Sequence, residues 1–313
     1  MNRNYINLNS THTDFSCLEV RMNRVCRSVS ILVLACSIFL LRSAAAFSET
    51  VTILPTADAT LIEESTGALA NGADPNFFAG RTAQTVGDSV RRALIRFDIA
   101  AAIPSGAQVT SASLSLYMSK TRNSSQTMSL YRILSDWNEG TSAGSSAGGF
   151  AVAGDVTWLH TSFPSQFWGS AGGDYSPTVS ASRSVSGIGF YQWGSTAQMV
   201  TDVQNWLDSP STSHGWMLKG NEAASITSKR FESRESATAV RRPMLTINYT
   251  VPCTAEDANC DSVVNARDIQ AFVDALATQV RCSSCAGDTD GDSDLDLNDV
   301  PSFVVALLAA LRP

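Results

Sequence analysis

The chain reads as an all-β sandwich of jelly-roll type followed by a small α-helical module. Three observations carry that reading. Short runs with a period of two recur between residues 47 and 250. Turn clusters rich in glycine and serine separate them, as in residues 140–149. Beyond residue 256 the pattern changes to two acidic loops, each leading into a segment with apolar residues at helical spacing.

Residues 1–46 belong to neither pattern. Arg24 and Arg27 precede an apolar run at residues 31–41, and Ala44, Ala45 and Ala46 supply a small-residue cleavage site. These are the parts of an export signal, with Met22 as an alternative start. The run is too short to span a bilayer and no second one follows. A lipid anchor on Cys36 fits poorly, because the apolar run continues past it. The mature protein is therefore expected to be secreted, extracellular or at a cell surface, and not integral to a membrane.

The β domain is assigned to residues 47–250. Residues 109–119 alternate, with Ala112, Leu114, Leu116 and Met118 inward and Ser111, Ser113, Ser115 and Tyr117 outward. Residues 91–99 place Ala93, Ile95, Phe97 and Ile99 inward and Arg92, Leu94, Arg96 and Asp98 outward. Residues 244–250 close the domain with the same period. One stretch, residues 195–210, breaks it: Met199, Val203, Trp206 and Leu207 recur at helical spacing and Pro210 ends the run. The expectation is a short helix capping one end of the sandwich.

Charge divides at the same boundary. Residues 47–252 carry 14 Lys+Arg against 16 Asp+Glu, and residues 253–313 carry 3 against 11. Nothing here is basic enough to favour nucleic acid.

Residues 251–256 form a short hinge to the C-terminal module, residues 257–313. Its two loops, residues 257–268 and 288–299, carry oxygen ligands at positions 1, 3, 5, 9 and 12. In the first these are Asp257, Asn259, Asp261, Asn265 and Asp268; in the second, Asp288, Asp290, Asp292, Asp296 and Asp299. Position 7 (Val263, Asp294) offers a backbone carbonyl. This spacing suits a hard cation, and two calcium ions are expected. Position 6, normally glycine for its positive φ, is serine in both copies, Ser262 and Ser293. After each loop, Phe272 and Leu276 align with Phe303 and Leu307.

All four cysteines beyond residue 46, Cys253, Cys260, Cys282 and Cys285, fall in this module. In an exported module they read as two disulfides with three possible connectivities. Cys260 with Cys282 and Cys253 with Cys285 would tie its halves together. Zinc on the Cys282–Cys285 C-x-x-C is the alternative, although the other pair lacks ligand spacing.

A loop and helix repeated at an interval of 31 residues resembles a dockerin type I module. The resemblance implies folding on two calcium ions and a cohesin-like partner, with Ala266, Arg267, Leu297 and Asn298 at the recognition positions. A second resemblance spans residues 52–250. Residues 55–64, 91–99, 136–141, 215–222 and 229–235 are similar to segments of the DNRLRE-type domain, in the same order. It implies a secreted β-sandwich counted in part among carbohydrate-binding modules, with acidic polysaccharides such as alginate as ligands.

Catalysis has few candidates. Asp136 and Glu139 flank Trp137, and paired carboxylates serve glycoside hydrolysis, but residues so close together also cap turns. His160 and His214, the only histidines past residue 46, lie in no zinc or nucleophile-elbow context. A lyase site of His160, Tyr175 and Arg183 would need proximity that the sequence does not show. For glycan contact, Trp168, Tyr175 and Trp193 lie among glycine and serine, where rings can face solvent. Trp158, Trp206 and Trp216 read as core. Arg81, Arg91, Arg92 and Arg96 could pair with uronate carboxylates or with sheet-surface acids. The expectation is a non-catalytic polysaccharide binder with a docking module. A calcium-dependent matrix protein and a polysaccharide lyase or hydrolase are the alternatives.

Overall fold

The computed structural model describes residues 47–83, 89–122, 125–251, 254–261, 263–283 and 285–311. The expected export signal lies outside them, as do Cys253 and Ser262. Among the described residues no helix is long and apolar enough to cross a membrane.

The first half of the β domain contains β1 (Phe47–Ile53), β2 (Ala57–Ile62), β3 (Leu69–Ala70), β4 (Asn76–Arg81), β5 (Val90–Arg96), β6 (Gln108–Thr121) and β7 (Gln126–Ile133). The second contains β8 (Gly149–Phe150), β9 (His160–Ser162), β10 (Gln166–Phe167), β11 (Tyr175–Val185), β12 (Gly189–Trp193), β13 (Trp216–Lys219), β14 (Lys229–Glu232) and β15 (Met244–Val251). Helix α1 (Ala197–Asp208) lies between β12 and β13. Helices α2 (Asp268–Thr278) and α3 (Asp299–Ala310) follow the strands.

Instead of a sandwich of two large sheets, eleven of the described strands form one antiparallel sheet curled over its own core, and β3 with β8 and β9 with β10 form two small pairs. The path runs β1-β15-β6-β14-β4-β5-β13-β7-β11, with β12 on β6 and β2 on β5. Strand β4 is the turning point. Residues Asn76 to Ala79 pair with β14, and Gly80 and Arg81 pair with β5. Gly80 has φ +110°, and a Cβ there would lie 2.9 Å from Ser228 Cα and Thr227 O. Only glycine lets one strand change partners so abruptly.

The alternation of β6 is as read: Ala112, Leu114, Leu116 and Met118 are buried beside Met128, Leu130, Leu245 and Ile247. In β5 the outward Leu94 is also fully buried, against expectation. The reason is a second apolar layer. Residues between β7 and β11 fold over the outer face of β2, β5 and β13, packing Trp137, Val156, Trp158 and Trp168 against Leu61, Leu94 and Met217. Buried Asp155 organises that layer. Its carboxylate accepts from the backbone N–H groups of Thr141 (2.7 Å) and Val152 (2.7 Å), and a Cβ on Gly140 would strike it.

Helix α1 packs against β6 and β11, bridging the two halves of the curled sheet. Thr196 caps it, its Oγ1 accepting from Met199 N at 3.1 Å. Within it Asp202 is fully buried but satisfied, accepting from Trp216 Nε1 (2.9 Å), Ser180 Oγ (2.5 Å) and Gln198 Nε2 (3.0 Å).

The C-terminal segment builds its own small core from Ala258, Phe272, Ala275, Leu295, Phe303 and Leu307. A core of this size needs a staple. Cys260 and Cys282 supply one, bonded with Cα atoms 6.1 Å apart. Cys285 is disulfide-bonded too. With Cys282 tied to Cys260, the zinc alternative has lost a ligand.

Candidate functional site

The sheet's turning point also builds a groove. Between β14 and β6 the register shifts, so that Arg230 lies opposite Lys120 and Phe231 opposite Met118. The shift frees Ser119, whose hydroxyl accepts from Arg230 Nε at 2.9 Å. Arg81, Lys120, Arg122 and Arg230 thereby line one depression of about 300 Å³, with Phe78 and the hydroxyl residues Ser145, Ser146 and Ser228. No carboxylate is among the described lining residues. Behind the lining, Asp74 accepts from Ser145 N at 2.8 Å, and Glu222 accepts from Arg81 Nε through its backbone carbonyl. Its carboxylate turns away to Arg92, which it grips at 2.8 and 2.9 Å. Lys120 and Arg122 are exposed and make no side-chain hydrogen bond or ion pair among the described residues. Lys120 and Arg122 therefore keep their positive charge for a ligand.

Of the arginines singled out in the sequence, only Arg81 lines this groove. Arg91 is buried and donates to Ser146 O through Nε (2.8 Å) and Nη2 (2.6 Å); burial pulls it down to about 10. Arg92 is consumed by Glu222, by Gly172 O (2.7 Å) and by the faces of Trp158 and Tyr175. Arg96 pairs with Asp136 at 2.7 Å and lies over Trp137. Lys120, Arg122 and Arg230 went unrecognised because they sit at ends of different strands. A signal was present in the cationic ends themselves, residues 120–122 and 229–230.

The aromatic expectations need correction. Trp193 is fully buried, its Nε1 donating to Met128 O (2.9 Å). Trp168 is buried in the second apolar layer, its Nε1 on Thr157 O (3.0 Å). The glycines and serines around them mark tight turns over a core, not a solvent-facing platform. Tyr175 is half-buried, its hydroxyl accepting from Lys219 Nζ at 2.6 Å. Trp158, Trp206 and Trp216 are core, as read.

The catalytic candidates are engaged separately. Glu139 receives both Nε (2.7 Å) and Nη2 of Arg234, and its Oε1 also accepts from Asp58 N at 2.7 Å. Asp136 instead faces Arg96, with His214 Nδ1 3.7 Å away. Burial holds His214 below its ordinary range despite that carboxylate. His160 is buried, hydrogen-bonded to Thr157 Oγ1 at 2.9 Å and flanked by Phe163 and Phe167. Arg183 is exposed on β11. Asp136 and His214 do share an open depression of about 390 Å³ with Arg96 and Asp98, but there Asp136 is already paired with Arg96 at 2.7 Å.

Among the described residues, three carboxylate constellations could hold a cation by proximity. Asp58, Glu139 and Glu235 converge, but Arg234 is already threaded among them. In the C-terminal segment, Asp288, Asp290 and Asp292 converge to within 4.8 Å, as do Asp294, Asp296 and Asp299. Both loops close by the same bonds. Asp268 accepts from Asn259 N (3.1 Å) and Asn265 N (2.8 Å); Asp299 accepts from Asp290 N (3.1 Å) and Asp296 N (2.9 Å). Ser293 adopts φ +78°, the conformation its position demands of glycine. Loss of hydration, then the neighbouring carboxylates of Asp292, Asp299 and Asp288, push Asp290 above the ordinary carboxylate range. Ala266, Arg267, Leu297 and Asn298 are all exposed.

The model of carbohydrate-binding module family 96 matches residues 49–146. No curated protein matches the chain. The matched span runs from β1 past β7 and contains Arg81, Lys120 and Arg122, three of the four groove cations. The match supports a carbohydrate-binding-module-like domain over that span, which suggests a polysaccharide as partner.

Proposed function

We propose that the protein is an exported, non-catalytic binder of acidic polysaccharide, held in the groove of Arg81, Lys120, Arg122 and Arg230. The groove's charge carries this reading: four cations, a row of hydroxyls, and no described carboxylate. A neutral glycan gives no reason to leave Lys120 and Arg122 without an acid among the described residues. A polyuronate, with a carboxylate on every ring, gives one, because guanidinium meets carboxylate through two parallel hydrogen bonds.

The C-terminal segment is read as a calcium-dependent docking module. Asp257, Asn259, Asp261, Asn265 and Asp268 with the Val263 carbonyl would hold one ion. Asp288, Asp290, Asp292, Asp296 and Asp299 with the Asp294 carbonyl would hold the other. The donors are all hard oxygens, which fits calcium. Bound calcium would neutralise the crowded carboxylates and couple metal binding to folding of the small core. The exposed Ala266, Arg267, Leu297 and Asn298 would then meet a cohesin-like partner. Disulfide bonding supports export, since such bonds persist in oxidising compartments.

The test is affinity electrophoresis of the protein against polyuronates and neutral polysaccharides, with calcium and with chelator, followed by assay for new reducing or unsaturated ends. Retardation by polyuronate, weakened by salt and lost on combining Lys120→Ala with Arg230→Ala, is expected without product release. Retardation by none of them would favour a matrix protein with no glycan affinity. Product release would overturn the non-catalytic reading.

A further inference from the structure

Strand β12 lies beside β6 and brings Phe190 directly opposite Tyr117 on the sheet's outer face. The rings meet edge to face with centroids 4.9 Å apart, and Phe190 remains 54% exposed. Arg241, from a 3-10 turn at Ala239–Arg241, lays its guanidinium over Tyr117 at 4.4 Å from the ring centroid. That guanidinium makes no hydrogen bond or ion pair among the described residues, so its N–H donors are open. The face beside the rings carries Ser113, Ser115 and Gln192. Lys120 of the basic groove is three residues further along β6, roughly 10 Å at the rise of an extended strand.

We propose that Phe190, Tyr117 and Arg241 form a second subsite, continuous with the basic groove, for a further uronic acid unit of the same bound chain. This inference rests on the acidic-polysaccharide reading and extends it. A uronic acid ring has an apolar C–H face and a carboxylate at its rim. Phe190 offers an exposed aromatic surface for the first, and Arg241, pre-oriented by Tyr117, offers paired donors for the second. A phenyl ring serving only as a cross-strand partner of Tyr117 would not need a cation without an acid beside it. The groove and the subsite together make a track along β6 that a single disaccharide cannot fill.

The experiment is calorimetric titration of the protein with uronate disaccharide, hexasaccharide and polymer (alginate and polygalacturonate), comparing wild type with Phe190→Ser, Phe190→Trp, Arg241→Gln and Lys120→Ala. Phe190 is exposed and Arg241 half-buried, and circular dichroism checks that the variants fold. Wild type should bind hexasaccharide about tenfold more tightly than disaccharide. Phe190→Ser and Arg241→Gln should each remove about five- to tenfold of hexasaccharide and polymer affinity and leave the disaccharide unchanged, while Phe190→Trp keeps or improves it. If Lys120→Ala abolishes binding but Phe190→Ser and Arg241→Gln bind hexasaccharide like wild type, the groove reading stands and the second subsite falls. If wild type binds no uronate of any length, both fall together.

Discussion

Phe272 of α2 and Phe303 of α3 stack face to face, with ring centroids 4.0 Å apart and planes within 4° of parallel. They hold equivalent positions in two repeats separated by 31 residues. Each ring is thus the main neighbour of its own counterpart, the expected arrangement where two similar units meet about a local two-fold axis. Phe272→Ala should cost about 3–5 kcal/mol of the C-terminal segment's stability, because the cavity opens under Phe303. The double change with Phe303→Ala should cost less than the two singles added, since each single already forfeits the shared contact. Chemical denaturation of the two singles and the double measures the coupling; strict additivity would mean the rings pack independently.

That repeat is legible in the sequence because it is written twice. The alternation of β6 was visible for a related reason: one face of that strand meets only core. Leu94, Trp168 and Trp193 were misread because their neighbours lie far away in sequence. A period of two marks Leu94 as outward, which it is, but cannot reveal that residues 137–168 return to cover the outward face. The groove was harder still. Its cations come from β4, β6 and β14, and only the sheet's turn at Gly80 makes them neighbours.

The bond between Cys260 and Cys282 should contribute about as much to so small a core as one of its stacked rings. It spans 22 residues, for which loop-closure entropy gives about 3 kcal/mol. Cys260→Ser combined with Cys282→Ser should therefore lower the denaturation midpoint of the C-terminal segment while near-ultraviolet signals from the tryptophan-bearing β domain persist. Loss of both transitions at once would show that the two parts unfold as one.

Ser293 adopts φ +78°, in the left-handed region where a Cβ crowds the backbone. Replacing it by glycine removes that crowding, worth about 1 kcal/mol. Ser293→Gly should therefore tighten calcium binding by roughly fivefold, read by calorimetric titration, if the ion orders this loop as proposed. An unchanged affinity would mean that the left-handed turn is already formed and costs nothing on binding.

Asp58 predicts an unusual pH dependence. Its carboxyl is 1% exposed, accepts from Arg234 N at 2.8 Å, and faces Glu139, Glu235 and the Arg234 guanidinium. Burial first, and then the Glu235 and Glu139 charges, raise it well above the ordinary range; the Arg234 bond and charge oppose this and lose. Glu235 is raised in the same direction, again chiefly by burial. In the unfolded chain an aspartate releases its proton near pH 3.9. Below that pH both states hold the proton, and the contribution to stability is fully present. As the pH rises, the unfolded state releases it first, and the contribution is lost progressively up to the folded pKa. Asp58→Asn keeps an acceptor for Arg234 N and removes the linked proton. The variant's melting temperature minus that of wild type should therefore be near its minimum at pH 4 and climb toward pH 8. Taking the difference cancels the opposite slopes of the ordinary surface carboxylates. A difference that stays constant across this range would show that Asp58 titrates in the folded protein as it does in the unfolded chain, and that Arg234 compensates its burial in full.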